Sequence, residues 1–146
     1  QGFGHRLRVE HLGNGCAADL DRQNNIVQRA LSESDRLYIS FIPDGVHVPF
    51  FALSNYLRAV PPERAIAVTD AISAARLPPG RYTLGGRSID IGDDRVARVP
   101  GTPYLAGSTI TMPELISKLR DELGLDDTAI DAMTCVNPRL AIHRTP

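Results

Sequence analysis

Three short apolar runs in this chain each break off at a polar group able to do chemistry: LRVEHLGNG at His11, LYISFIPDGVHV at His47 and AIAVTDAIS at Asp70. Each is rich in Val, Ile and Leu without strict alternation, the signature of a strand buried on both faces of a parallel sheet. Between them, Asn24 to Leu31 places Ile26, Val27, Ala30 and Leu31 on one helical face, and Phe50 to Val60 repeats the pattern until Pro61-Pro62 stops it. The predicted order is a strand around Arg6 to Glu10, a helix, a strand, a helix, and a strand from Ala65 to Asp70. Two such βα units feeding a third strand through right-handed crossovers make a doubly wound sheet or a (β/α) barrel. In a barrel, active sites collect at the C-terminal strand ends, where these three groups fall.

A complete barrel takes about 250 residues, and this chain has 146 and opens on Gln1 rather than Met. The expectation is the C-terminal part of a longer enzyme, carrying part of an active site.

After Ala75 the texture changes. The stretch LPPGRYTLGGRSIDIGDDRVARVPG is broken by Gly and Pro, and Ser88 to Ile91 with Val96 to Val99 read as an antiparallel hairpin around Gly92, Asp93 and Asp94. A lone hairpin is marginal in water, so it calls for strands from elsewhere. Helix returns at Thr111, where Thr111 and Glu114 have capping-box spacing and Pro113 is tolerated in the first turn. Leu115, Ile116, Leu119 and Leu123 form its apolar face, and Gly124 ends it. Asp126 to Met133 reads as a further helix, and Pro138 permits a short one through Ile142. The expected division is barrel strands and helices over 1–78, a hairpin segment over 79–104 and C-terminal helices over 105–146.

The hydrophobic content of 42% suits one core. A net charge of −1 with interspersed signs offers no basic stripe for nucleic acid or anionic lipid. No apolar stretch is long enough to cross a bilayer, and no signal pattern precedes the first strand. Cys16 and Cys135 lack CxxC spacing, so they read as two free thiols in a reducing, cytoplasmic setting, with Cys16 a bystander near the His11 strand. Taken singly, His11 is as consistent with a hydrogen-bonded core residue as with a metal ligand. Asp70 speaks more strongly, because an ionised carboxylate ending a buried strand needs a cation, a metal or convergent donors. His5 and His143 sit among polar neighbours and read as surface residues.

Taken in order, HLGNG, IPDGVHVPFFAL, VTDAISA, GRYTLGG and LAGSTITM resemble the N-acetylglucosamine-6-phosphate deacetylase family of the amidohydrolase superfamily. The resemblance spans nearly the whole chain. It implies a metal-dependent (β/α)8 barrel, here its sixth to eighth strands, with a hairpin from a small β-sandwich domain. It implies that His11 is a metal ligand and that Asp70 is the catalytic general base and acid. Asn14 and Gly15 match the family's Asn-Ala pair at the sugar phosphate, Arg22 its phosphate-binding Arg reaching a neighbouring subunit, and His47 the substrate-contacting His of its Asp-Gly-His motif. Leu105, Ala106, Gly107 and Ser108 match the loop on the acyl side of the pocket.

Alternative readings stay open beside these: Arg22 as a solvated surface residue, Asp44-Gly45 as a plain turn, and Gly107-Ser108 as a flexible lead-in to the Thr111 helix. DLDRQNN stands where the family often carries a Gly-Arg-Glu-Pro-like stretch, and the family's remaining metal ligands, a Glu and a further His, fall before its sixth strand. The implied cofactor is a divalent metal, zinc first, with Fe, Mn or Co as alternatives. The implied partners are an amino-sugar phosphate and, for the intact enzyme, a second copy in a homodimer, with no nucleic acid and no membrane. The rivals are another N-acylated sugar or amino compound as substrate, and a catalytically silent piece serving only folding or assembly.

Overall fold

Val9, Ile39 and Ala65 stand in register across three parallel strands, the pairing the three apolar runs predict. The structure, a computed structural model, describes residues 8–17 and 19–142. His5, His143 and the Arg6-Leu7 start of the first predicted strand lie outside them. β1 (Arg8–Val9), β2 (Tyr38–Phe41) and β3 (Ala65–Ala67) form the sheet in that order. Every residue of β2 is buried, as expected of a central strand with both faces covered.

Parallel strands need crossovers, and two helices supply them. α1 (Ile26–Ser32) starts where the Asn25 side chain accepts the Gln28 N–H. Of its predicted face Val27 and Ala30 are buried, while Ile26 in the first turn is exposed. α2 (Phe50–Ala59) is followed by a 3-10 turn, Pro62–Arg64, that delivers the chain to β3. Ile39, Phe41, Ala65 and Ala67 point into one core with Leu53 and Val60, and Phe41 stacks on Tyr56 with ring centroids 6.4 Å apart. Strand alternation sends Tyr38 and Ile66 to the other face, where they meet Ala141.

α3 (Met112–Asp121) closes the main core with Leu115 and Leu119, both fully buried, each contributing about 1.5–3 kcal/mol by burial. Its start follows the predicted capping box: the Glu114 carboxylate accepts from the Thr111 N–H at 2.7 Å and from its hydroxyl at 2.6 Å. The Gly124 N–H ends the helix on the Arg120 carbonyl, with Gly124 at φ +66°. α4 (Asp127–Asp131) and α5 (Asn137–Ile142) are joined by a π-helical segment, Ala132–Val136, so the two predicted helices run on as one interrupted helix. Pro138 cannot donate a backbone bond to the preceding turn, and the wider π turn ends at Val136, two residues before it. The buried Asn137 amide donates to the Pro62 and Ala65 carbonyls, at 2.8 Å each, and ties this helix to the start of β3.

The segment after β3 departs from expectation. Instead of a two-stranded hairpin, β4 (Gly80–Leu84), β5 (Arg87–Ile91) and β6 (Ala97–Arg98) make a three-stranded antiparallel sheet. Gly85 and Gly86 both adopt positive φ, 54° and 78°, and so form a tight two-residue hairpin turn of the type whose twist suits the flanking strands. The expected hairpin leaves GRYTL without a strand, since Pro and Gly interrupt the stretch around it. Its pairing with β5 supplies a strand that the sequence reading assigned to a missing piece. Tyr82 and Leu84 pack with Ile89, Ile91 and Ala97 into a second small core.

Candidate functional site

All three candidate groups lie beyond the C-terminal ends of the parallel strands. After β1 the backbone turns at His11, whose N–H donates to the Ser40 hydroxyl oxygen at 2.9 Å, while the Leu12 N–H donates to the Ser40 carbonyl. The central strand thus holds the His11 loop. His11 has φ +54° and Asp70 φ +49°, two of only four non-glycine residues with positive φ among the described residues. Left-handed backbone costs about 1–3 kcal/mol at such residues and gathers at functional sites.

Asp70 sits differently from the expectation that it ends a buried strand. β3 stops at Ala67, Val68 adds one more bond to Phe41, and Asp70 is exposed. Its carboxylate therefore needs no buried counter-charge, and the argument from desolvation falls away. What fixes Asp70 is backbone: its carbonyl accepts the Ser108 N–H at 2.9 Å, and the Ser108 carbonyl accepts the Ile72 N–H at 2.9 Å. Gly107 has φ +91°, and a Cβ there would lie 2.6 Å from Ile72 Cγ2 and 3.2 Å from the Asp70 carbonyl oxygen. Ser108 is buried, its Oγ accepting from the Ile110 N–H. Gly107-Ser108 is thus a fixed bridge beside Asp70, not a flexible lead-in to α3.

After β2, Asp44 organises the loop. Its Oδ1 accepts the N–H groups of Val46 and His47 at 2.8 and 2.9 Å, and its Oδ2 lies 2.6 Å from the His47 Nδ1. Burial works to raise the Asp44 carboxyl, but the His47 ring and the two backbone donors outweigh it and hold it below the ordinary 3.8. Gly45 is required, since at φ +79° a Cβ would meet the Phe50 ring at 2.5 Å. The resemblance matches this stretch to an Asp-Gly-His motif and the residues alone allow a plain turn; neither gives Asp44 the role of anchoring the His47 ring, which its three hydrogen bonds show.

A cleft of about 230 Å³ opens between this loop, the β5–β6 turn and α3, lined by Asp44, His47, Arg95, Ser108, Glu114 and Lys118 among others. His47, Gly107 and Ser108 meet here. His11 instead lines a second cleft of about 300 Å³ on the Tyr38 and Ser40 face, against α5. Leu105 makes an antiparallel bridge to Arg98, and the Ala106 N–H donates to the Ala97 carbonyl, so these two edge the small sheet. Asn14 is half-buried with its N–H on the His11 carbonyl, and Gly15 is exposed at φ +68°. Arg22 is exposed in a turn that Asp21 builds by accepting the Gln23 and Asn24 N–H groups. Cys16 packs against the main core.

Metal ligation is testable on these positions. Among the described residues no three His, Cys, Asp or Glu side chains converge to hold a metal ion, whereas catalytic zinc generally takes three protein ligands. The described residues do not by themselves make a metal site. No described helix is long and apolar enough to cross a membrane.

No family model matches the chain. The N-acetylglucosamine-6-phosphate deacetylase of Danio rerio is 38% identical over 122 residues, which are 80% of this chain and 29% of that protein. A putative N-acetylgalactosamine-6-phosphate deacetylase of Escherichia coli is 30% identical over 128 residues, 88% of this chain and 74% of that protein. Among solved structures, a mutant of the N-acetyl-D-glucosamine-6-phosphate deacetylase of Mycobacterium smegmatis, in complex with N-acetyl-D-glucosamine-6-phosphate, superposes with a TM-score of 0.81. It is 35% identical, and the match covers 93% of this chain and 36% of that one.

The fold, the strand-end loops and these likenesses define a class first, the α/β deacetylases of amino-sugar phosphates. Within it, the chain belongs to the N-acetylglucosamine-6-phosphate deacetylase family. It spans 29% of the length of the Danio rerio relative.

Proposed function

We propose that this chain forms the sixth to eighth strands of a (β/α)8 amidohydrolase barrel, together with part of a small β-sandwich domain, and contributes to hydrolysis of the N-acetyl group of N-acetylglucosamine 6-phosphate. The observation that carries the reading is the placement of His11, His47 and Asp70 beyond the C-terminal ends of three adjacent parallel strands, with His11 and Asp70 both in left-handed backbone.

Asp70 is the general base and acid in this reading. Its exposed carboxylate takes a proton from the attacking water as the acetamide carbonyl becomes tetrahedral, then returns it to the departing amine. The Ser108 bridge keeps Asp70 at a fixed height above the sheet, which is how a base is held within hydrogen-bond reach of its water. Leu105 to Ser108 bound the acyl side of the site. Asn14, Gly15, Arg22 and His47 recognise the sugar phosphate, with Arg22 extending to the site of a second copy in a homodimer.

The family is metal-dependent in general. Here His11 supplies one ligand to a divalent ion, zinc first and Fe, Mn or Co otherwise. With no further converging ligands among the described residues, no step is assigned to the ion. A cytoplasmic setting fits the free thiols.

The Escherichia coli relative's name favours one second reading, the galacto epimer as substrate. The test is acetate release from N-acetylglucosamine 6-phosphate, N-acetylgalactosamine 6-phosphate and N-acetylglucosamine, with added zinc. It is run on the 146-residue chain and on that chain fused to the part of the Mycobacterium smegmatis enzyme it does not cover. The fusion is expected to be active, fastest on the gluco phosphate, and the chain alone inactive. Activity of the chain alone, or a folded but silent fusion, rejects the reading.

A further inference from the structure

Asp44 is a carboxylate whose two oxygens both accept hydrogen bonds from within one loop. One oxygen takes the backbone N–H groups of Val46 and His47, and the other lies 2.6 Å from the His47 ring at Nδ1. Both side chains are nearly out of solvent, at 3% exposed for His47 and 8% for Asp44. The loop has no slack. Gly45 is in left-handed backbone under the Phe50 ring, and the Lys118 ammonium sits 5.4 Å from the centre of that ring, so the turn is closed from outside.

We propose that Asp44 is the positioning residue of His47: it holds the neutral imidazole as the Nδ1–H tautomer and leaves Nε2 as the nitrogen that meets whatever occupies the 230 Å³ cleft. A carboxylate has no proton to give, so in the short bond to Nδ1 the ring must donate. The neutral ring then carries its lone pair on Nε2. That atom makes no hydrogen bond among the described residues, where the only bond of the His47 ring is at Nδ1, and because no buried side-chain nitrogen or oxygen there lacks a partner it is not sealed from solvent.

Four other charged groups line the cleft with His47, Asp94 and Arg95 from the β5–β6 turn and Glu114 and Lys118 from α3. The two carboxylates among them are already engaged, Asp94 with Arg98 and Glu114 with Thr111, while Arg95 donates to the Leu77 carbonyl and Lys118 lies over the Phe50 ring. Asp44 is therefore the carboxylate that sets the ring. The consequence for ligand chemistry is definite. A neutral His47 offers Nε2 as an acceptor to a hydroxyl, and a protonated His47 offers Nε2–H to an anionic oxygen, with Asp44 bearing the balancing charge behind it. The substrate contact rests on the deacetylase reading; the tautomer does not.

The experiment is long-range ¹H–¹⁵N correlation of the imidazole rings in the ¹⁵N-labelled 146-residue chain, above the pH at which the rings lose their charge. His47→Gln identifies the His47 signals among those of the four histidines. The wild-type ring is expected to show Nδ1–H and an unprotonated Nε2. Asp44→Asn keeps the shape but presents an amide N–H to Nδ1, so the major tautomer is expected to reverse to Nε2–H. A wild-type ring that is mainly Nε2–H overturns the proposal, and so does a folded Asp44→Asn with an unchanged tautomer. Should Asp44→Asn lose its dispersed spectrum, the wild-type result decides alone. Failure of acetate release in the fused enzyme would count against the deacetylase reading and leave this result standing.

Discussion

The N–H of Ser108 donates to the carbonyl of Asp70 at 2.9 Å across a parallel bridge between residues 71 and 108. Two segments distant in sequence are thereby fixed to one another: the loop leaving β3, and the strand-like stretch that leads into α3. An exposed carboxylate gains a defined position from a buried backbone contact. This is how a residue with no buried side-chain partner can still be held in place for catalysis.

Gly107 is the tightest point of that bridge. Gly107→Ala puts a Cβ 2.6 Å from Ile72 Cγ2 in backbone with φ +91°. It is expected to destabilise the chain by about 1–3 kcal/mol, read as a lower denaturant midpoint. A midpoint equal to wild type would show that the bridge yields freely.

For the general base, Asp70→Asn in the fused enzyme is expected to lower kcat by about 10² to 10⁴ with metal content near normal. His11→Ala should lower bound metal and activity together. Metal analysis beside steady-state rates separates the two roles, and an Asp70→Asn enzyme that keeps most of its kcat removes Asp70 from the mechanism.

The proposed phosphate role of Arg22, which is exposed, is tested by substitution. Arg22→Ala in the fused enzyme is expected to raise KM for the phosphorylated sugar while changing the unphosphorylated analogue little. Equal losses on both substrates would return Arg22 to the solvated surface.

Acid stability should report Asp44. Its carboxyl lies below the ordinary 3.8 when folded, so its contribution is complete above about pH 3.8 and is lost as pH falls toward the lower folded value. Asp44→Ala, which leaves the His47 ring and two backbone donors without their acceptor, should cost about 1–3 kcal/mol near neutrality. It should also flatten the decline of stability as pH falls below about 3.8. Denaturation midpoints measured across that range check both, and an unchanged acid limb would mean the carboxylate contributes nothing there.

Much of the fold was legible because it depends on local pattern. The runs around Val9, Ile39 and Ile66 became parallel strands, the Thr111 and Glu114 spacing became a capped helix, and Gly124 ended it. The third antiparallel strand was not legible, because the short alternation in GRYTL does not say what it pairs with, and the partner is fixed only by the Gly85-Gly86 turn back onto β5. The burial assumed for Asp70 was not legible either. An apolar run says that a strand is covered, but not on which residue it ends, and β3 ends three residues early.

Sequence by itself determined which chemistry-bearing residues follow which strands, because strand and helix periodicity place His11, His47 and Asp70 at successive strand ends before any packing is known. Five ordered motifs also pointed to the deacetylase family to which the chain belongs. Tertiary structure alone decided the company these residues keep. Asp44 became the anchor of His47, Ser40 the anchor of the His11 loop, and Ser108 the clamp on Asp70. The last two contacts join segments about thirty or more residues apart, and all three depend on hydrogen-bond geometry. Distances and directions of that kind are set by how the sheet and helices pack, which no periodicity along the chain encodes.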